Sequence, residues 1–334
     1  MKKNAILFFI ILFPLCVFAD AVQVNGIYYN FDESTKTASV TYRGTYTYSY
    51  DEYVGDIVIP ASVTYKGTTY SVTTISTGAF DGCKSLTSIV IPESVTKLEE
   101  RPFCYSSLKS ISLPYTLKDL GRAAFYQCAS LISITIPEGI TSIKDDMFYG
   151  CSSLASVKLP NSITMIEDGA FNNCSSLSSI TIPSKVTTIE IMAFNNCSAL
   201  KSITINALNP PTISSGTISS NPICYVPCGR LDAYANSNWK EYCYQFIEQS
   251  SLYEVLVESN NNSSGVAKLV SYPDCTSAIV TAIPNEGCIF VKWSDGNTQT
   301  TRYLELTKDI NLTAYFAKQG YTIHVYQDCN TNIE

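Results

Sequence analysis

Residues 148–160 read FYGCSSLASVKLP, and residues 171–183 read FNNCSSLSSITIP. The same phrase opens at Phe80 (FDGCKSLTSIVIP), Phe125 (FYQCASLISITIP) and Phe194 (FNNCSALKSITIN), with a shortened copy, FCYSSLKSISLP, at Phe103. The steps from one phenylalanine to the next are 23, 22, 23, 23 and 23 residues. Self-similarity at such a period marks a solenoid, in which one unit cannot bury its apolar face alone and does so by stacking on the next. Aliphatic residues hold fixed places in each turn: Leu86, Ile89, Ile91, Val95 and Leu98 before Phe103, then Leu154, Val157, Leu159, Ile163 and Ile166 before Phe171. In Leu-x-x-Ile-x-Ile-Pro the last two aliphatic residues are two apart, so an extended chain sends both to one face. The proline then ends the strand by removing a backbone donor. Six turns, one short parallel strand each, make a sheet roughly 25 Å across on the concave side.

The whole chain has 334 residues, 46% hydrophobic and only 15% charged, with a formal net of −7. That length exceeds one ordinary domain. Ser, Thr, Ile and 23 tyrosines abound, which favours strands over helices and gives a mainly β class. Residues 1–19 read as a signal peptide: Lys2-Lys3, an apolar stretch from Ala5 to Phe18, and a small-residue site at Val17-Phe18-Ala19 before Asp20. A lipoprotein signal at Cys16 is disfavoured because Leu15 stands where a small residue is wanted. The expected location is secreted or at the cell surface, with no transmembrane segment in the mature chain. Loss of Lys2 and Lys3 takes the formal net from −7 to −9, which argues against nucleic acid or an anionic membrane as partner.

Residues 20–54 alternate tyrosine and threonine with polar residues, the pattern of an N-terminal β-hairpin cap. The solenoid with its own C-terminal cap is assigned to residues 55–249. Its degenerate first turn holds a hairpin turn expected at Lys66-Gly67. After Ile205 a Pro/Ser/Gly-rich breaker precedes CYVPCGRLDAYANSNWKEYCYQFIE, read as a strand, a turn and one amphipathic helix from about Leu231 to Tyr242, with Tyr234 and Trp239 plugging the last turn. Residues 252–318 show four alternating runs separated by Asn/Ser/Gly turns, a small antiparallel β domain. Residues 319–334 read as the start of a further β module or a tail.

The repeat resembles the cysteine-containing leucine-rich repeat of BspA-like and treponemal surface proteins. Ala79-Phe80, Ala124-Phe125, Ala170-Phe171 and Ala193-Phe194 match the closing element of its unit, each with a cysteine three residues after the phenylalanine. Pro102, Cys104 and Asn206 depart from the pattern. Pro284 to Gly287, Phe290, Trp293, Asp295-Gly296 and Leu312 to Phe316 resemble the divergent internalin B-type repeat. The first resemblance implies a leucine-rich repeat solenoid that binds host matrix or other cell-surface proteins in bacterial adhesion.

Cys83, Cys128, Cys151, Cys174 and Cys197 repeat at one place, with Tyr105 holding that place in the shortened turn when counted back from the leucine and Cys104 shifted. There is no Cys-x-x-Cys and His324 is the single histidine, so a zinc site or a cysteine nucleophile is disfavoured against a buried ladder of reduced thiols. Cys224, Cys228 and Cys243 lie outside the ladder, where one disulfide suits an exported protein, while Cys275, Cys288 and Cys329 stay open. Glu99-Glu100, Asp145-Asp146, Glu167-Asp168 and Glu190 form an acidic column on the convex side. It reads as a solvated rim rather than a hydrolytic pair, with calcium a minor alternative. No cofactor, metal or enzymatic activity is expected.

The outward strand positions are Ser88, Ser110, Ser133, Ser156, Ser179 and Ser202 in one column and Val90, Ser112, Thr135, Lys158, Thr181 and Thr204 in the next. The expected partner-binding residues are Ser110, Ser112, Ser133, Thr135, Ser156, Lys158, Ser179 and Thr181, a hydroxyl face able to hydrogen-bond protein, or alternatively glycan. The alternatives to protein binding are a glycan-binding surface protein and a structural stalk without a specific ligand.

Overall fold

The computed structural model describes residues 21–43, 51–249, 253–274 and 277–319. The signal-peptide assignment, His324, Cys275, Cys329 and the C-terminal tail beyond residue 319 therefore lie outside the described residues. Two separate apolar cores divide the chain: one runs from Ile27 to Cys243, the other from Val255 to Phe316.

At the N-terminus, Val22–Val24, Ile27–Asp32 and Thr37–Thr41 form antiparallel hairpins, and the last of these pairs in parallel with Thr68–Ile75 of the first turn. Ser62–Tyr65 and Thr68–Ile75 are joined through Lys66-Gly67. Both linking residues have positive φ, 48° and 78°, as a two-residue primed turn requires. Tyr53 then closes the stack, its ring 4.6 Å from Phe80 and its hydroxyl donating to the Thr41 carbonyl at 2.6 Å.

Each solenoid turn has three sides. On the first lie the strands of the Leu-x-x-Ile phrase, such as Leu86–Val90, Ser133–Thr135, Ser156–Lys158, Ser179–Ile182 and Ser202–Ile205. On the second lie two-residue strands, Ser142–Ile143, Met165–Ile166 and Thr188–Ile189 among them, paired in parallel. The third side carries the phenylalanines, and there each ring-bearing residue donates its N–H to the next turn, as Phe125 does to Met147 and Phe148 to Ala170. The rings of Phe80, Phe103, Phe125, Phe148, Phe171 and Phe194 stack with centroids 5.3 to 5.6 Å apart. Each such pair contributes about 0.5–1.5 kcal/mol beyond its burial.

Two corners are sharp. In five of the six repeats the proline carbonyl after the strand accepts the N–H three residues on, as Pro160 does from Ile163, and Asn206 stands in that place in the last. The phenylalanine corner needs two left-handed residues per turn, two before and two after the ring. The first place is taken by Gly78, Arg101, Ala123, Asp146, Gly169 and Met192, the second by Gly82, Tyr105, Gln127, Gly150, Asn173 and Asn196. A side chain there costs roughly 1–2 kcal/mol.

The hydrogen-bonded sheet on the first side is not continuous across the six turns. It forms three pieces: Gly55–Val58 with Leu86–Val90; Ser133–Thr135 with Ser156–Lys158 and a single bridge from Ser133 to Ser110; and Ser179–Ile182 with Ser202–Ile205, Ile223–Val226 and Gln245–Glu248. The first break coincides with the residue missing between Phe103 and Leu108. No sequence feature accounts for the second.

In the cap, the single helix expected over Leu231 to Tyr242 is two pieces, an α-helix Leu231–Ala235 and a 3-10 turn Asn238–Glu241. Ser237 divides them, because its hydroxyl donates to the Tyr234 carbonyl and accepts the N–H of Trp239. Tyr234 and Trp239 are fully buried under the last turn, bonded to the carbonyls of Ala207 and Pro211 at 2.6 and 2.9 Å. Cys224 and Cys243 form a disulfide that ties the last strands to this cap, and the Cys228 thiol donates to Gln249 at 2.7 Å.

The C-terminal module packs two three-stranded sheets around Trp293. All its strand pairs are antiparallel except Val255–Ser259 with Ile310–Lys318.

Candidate functional site

Strand alternation puts Ile134, Ile180 and Ile203 inside and the residues beside them outside. Ser110, Ser112, Ser133, Thr135, Ser156, Lys158, Ser179 and Thr181 are all exposed. In-register pairing of Ser133 with Ser156 and of Thr135 with Lys158 brings neighbouring side chains of a column side by side. The same holds for Ser179 with Ser202 and Thr181 with Thr204.

Six of these residues, Ser110, Ser112, Ser133, Thr135, Ser156 and Lys158, line one depression of about 610 Å³, floored by Ile111, Ile134 and Val157. Ser179 and Thr181 do not line it and belong to the next piece of sheet. Its wall includes Tyr115, 77% exposed. Tyr115 was missed from the strand columns because it sits one residue beyond the strand-ending Pro114; the legible signal was an aromatic where the other turns carry Glu93, Glu138, Asn161 and Ser184.

The face also exposes aliphatic side chains, Val90 at 56% and Ile132 at 51%. At its N-terminal end Asp56 accepts the hydroxyls of Thr87 and Ser88, and these bonds hold its carboxyl below the usual range. Such a surface offers many small donors and acceptors, a few apolar contacts and isolated positive charge. Among the described residues the depression holds no carboxylate, histidine or thiol that could act as base or nucleophile.

The repeated cysteines lie behind the phenylalanines. The Cys128, Cys151, Cys174 and Cys197 thiols donate to the carbonyls of Phe103, Phe125, Phe148 and Phe171 at 2.9 to 3.1 Å. Each of these carbonyls also accepts an N–H from its own turn, as Phe125 does from Cys128. The thiol therefore fills the second lone pair of a buried oxygen. Burial pushes these thiols up, Cys83 to about 11 and Cys128 and Cys197 to about 12, away from nucleophilic or metal-binding character. In the shortened turn the slot belongs to Ser106, not Tyr105. Ser106 is buried, bonds through its N–H to Phe103 and lies 3.4 Å from the Cys128 sulfur, whereas Tyr105 is exposed. The deletion falls after the slot, so counting back from Leu108 lands one residue early.

The acidic column is partly paired. Glu99 meets Lys97 and Glu100 meets Arg122, while Asp119, outside the column, meets Lys144. Asp146 is half-buried, and desolvation together with Asp168 and Asp145 raises its carboxyl. Among the described residues no three acidic, histidine or cysteine side chains gather as a metal would need, and no helix is long and apolar enough to cross a membrane.

The comparisons with known proteins bear on the same residues. The model of the BspA type leucine rich repeat region matches in six copies over residues 41–154, 73–201 and 118–245, and that of the divergent InlB B-repeat domain matches residues 255–320. Among solved structures, a leucine-rich cell surface protein from Faecalibacterium prausnitzii is 33% identical, over 58% of this chain and 56% of that one, with a TM-score of 0.45. This chain therefore spans little more than half the length of that relative. A leucine-rich repeat protein from T. pallidum is 20% identical over 69% of this chain and 84% of its own, with a TM-score of 0.36. One from Bacteroides ovatus is 15% identical over 72% and 94%, with a TM-score of 0.32. No curated protein matches this chain. The repeat match spans more than half of the chain, and the chain belongs to the BspA-type leucine-rich repeat family, with a divergent InlB B-repeat domain after the repeats.

Proposed function

We propose that this chain is an exported cell-surface scaffold that binds protein partners through the outward strand face of its solenoid, with an adhesive role and no enzymatic activity. The observation that carries this reading is the depression lined by Ser110, Ser112, Ser133, Thr135, Ser156 and Lys158. It is a continuous set of hydroxyls suited to polypeptide amides and carbonyls, without a catalytic pair. Membership of a surface-protein repeat family supports the same reading. Host matrix or other cell-surface proteins are the partners it implies.

The test is capture of surface or matrix proteins by the purified full chain, followed by substitution. Replacing Ser133, Thr135, Ser156 and Lys158 together with glutamate abolishes capture, because four like charges cannot all be paired across one interface. The far-ultraviolet circular dichroism stays β-rich. Capture that survives this variant but is lost on changing Glu167 and Asp168 moves the site to the acidic column.

One observation favours glycan as the alternative ligand: the exposed ring of Tyr115 beside hydroxyls. Saturable binding on a glycan array, lost in Tyr115→Ala, would establish that alternative.

A further inference from the structure

We infer that the partner seated in the depression lays an arginine side chain on the ring of Tyr115, between Glu93 and Glu138. This rests on the protein-binding reading above and names the chemistry of one contact of that partner.

The three residues hold one place in successive turns. Glu93, Tyr115 and Glu138 each follow a strand-ending proline, at corners closed by the same bond: Val95 to Pro92, Leu117 to Pro114 and Ile140 to Pro137. Both neighbouring corners are held close to the ring. On one side the Thr116 hydroxyl donates to the Glu93 carbonyl at 2.7 Å and lies 3.3 Å from its carboxylate. On the other, Gly139 packs so tightly that a side-chain carbon there would stand 2.3 Å from the Leu117 carbonyl oxygen. Tyr115 is 77% exposed and both glutamates are exposed. Among the described residues neither glutamate lies within ion-pair distance of a lysine or arginine. Lys118 has already passed the corner, where its N–H donates to Thr96 beside the strands of the second side.

An exposed ring bracketed by unpaired carboxylates complements a cation. A guanidinium laid flat on the ring stands about 3.5–4 Å from it, and the next turn lies about 4.8 Å away, so on either face the cation comes over a glutamate. Arginine fits better than lysine, because its plane stacks on the ring while its fork reaches the carboxylate. Its aliphatic stem also has a floor to lie on, since Ile111, Leu113 and Ile134 line the depression that Tyr115 walls. A free polyamine leaves that floor and the hydroxyls of Ser110, Ser112 and Ser133 unmet, whereas a polypeptide covers the first with side chains and bonds the second with its backbone. The acidic character is confined to this corner. Lys158 stands two strands and three residues from Tyr115, about 14 Å by strand and residue spacing, and Lys109 lies at the far end of the strand that leads to the ring. The occupant therefore needs one cation at this place and not a basic segment.

The test uses the purified full chain and random peptides of about 10 residues, selected for binding to it. Arginine is enriched among the peptides retained. One of these, resynthesised, binds about tenfold more tightly than the same peptide with citrulline, which keeps the shape and removes the charge, and severalfold more tightly than with lysine. Glu93→Gln with Glu138→Gln weakens binding about tenfold and removes its dependence on salt between about 0.05 and about 0.5 M. Tyr115→Ala weakens it as much, while Tyr115→Phe, which keeps the ring, changes it little. Filling the depression with Ser112→Trp and Thr135→Trp abolishes binding without a change of charge. If the filled variant loses the peptides while citrulline and the glutamine pair change nothing, the arginine assignment falls and the face stands. If the filled variant keeps them, the face falls as well. Retained peptides enriched in aspartate and glutamate, or spermidine that displaces the arginine peptide at equal concentration, overturn the assignment to an arginine-bearing polypeptide.

Discussion

In the solenoid, Phe171 has a ring on either side of it, Phe148 and Phe194, each with its centroid 5.3 Å away, and Phe125, Phe148 and Phe103 are placed the same way. In the C-terminal module, Trp293 has no such repeat. It is fully buried among Phe290, Leu312 and Phe316, and its indole N–H donates to the Gln299 carbonyl at 2.8 Å. The solenoid spreads its stability over equivalent interfaces, each depending on its neighbours, whereas the module gathers a single non-repeating core in which Trp293 is the largest side chain. A core built from one repeated contact tolerates drift in the residues between the contacts. Its outward face is therefore free to vary, which suits a surface that recognises partners.

The largest effects should break the two cores separately. Phe171→Ala is expected to cost about 3–5 kcal/mol and to lower the melting transition of the solenoid, leaving that of the module in place. Trp293→Ala should do the reverse at a similar cost of about 3–5 kcal/mol. Calorimetry of the full chain reads both, and a single transition that moves with either variant would contradict two independent cores.

A smaller effect probes the thiol ladder. Cys151→Ala removes the donor to the Phe125 carbonyl and should cost about 1–3 kcal/mol, whereas Cys151→Ser keeps a donor in the place that Ser106 fills in the shortened turn and should cost less. Equal losses in thermal melts would show that volume, not the bond, is what the slot demands. The ladder thiols should also stay reduced and resist alkylation at pH 8 until the chain unfolds, because burial holds them far above their ordinary range.

The smallest effect concerns Asp146. Its carboxyl is raised in the folded state, so the ionised form is less favourable there than in the unfolded chain, and it subtracts stability once pH exceeds the ordinary aspartate value. That penalty disappears as pH falls below it. Asp146→Asn, which also suits the positive φ of 52°, should raise the melting temperature slightly at pH 7 and leave it unchanged at pH 2 apart from any backbone effect. A variant less stable at pH 7 than the parent would mean that the carboxylate holds a favourable bond.

Much of this was legible in the sequence because the buried side chains repeat. The phenylalanine, leucine and isoleucine columns, the turn at Lys66-Gly67 and the plugs Tyr234 and Trp239 each carry a residue-type signal. The first left-handed corner position carries none: glycine, arginine, alanine, aspartate and methionine all occupy it, because the surrounding ladder imposes the conformation, whereas the second is glycine or asparagine in four of six turns. The place of Ser106 depends on where a one-residue deletion falls, which alignment to the leucine cannot settle. The first break in the sheet goes with that deletion and the second with no feature of the sequence, and Tyr115 stands out only when the turn residues after the strand-ending prolines are compared. The division of the cap helix turns on the double hydrogen bond of one side chain, Ser237.

The most direct test of the central claim is a lysine-modification footprint of the full chain, alone and bound to the protein it captures. Lys109, Lys158 and Lys201 should be protected on binding, while Lys97 and Lys144 on the other sides of the turns keep their reactivity. Protection of Lys97 and Lys144 with Lys158 still open would place the partner on the acidic side and contradict the account.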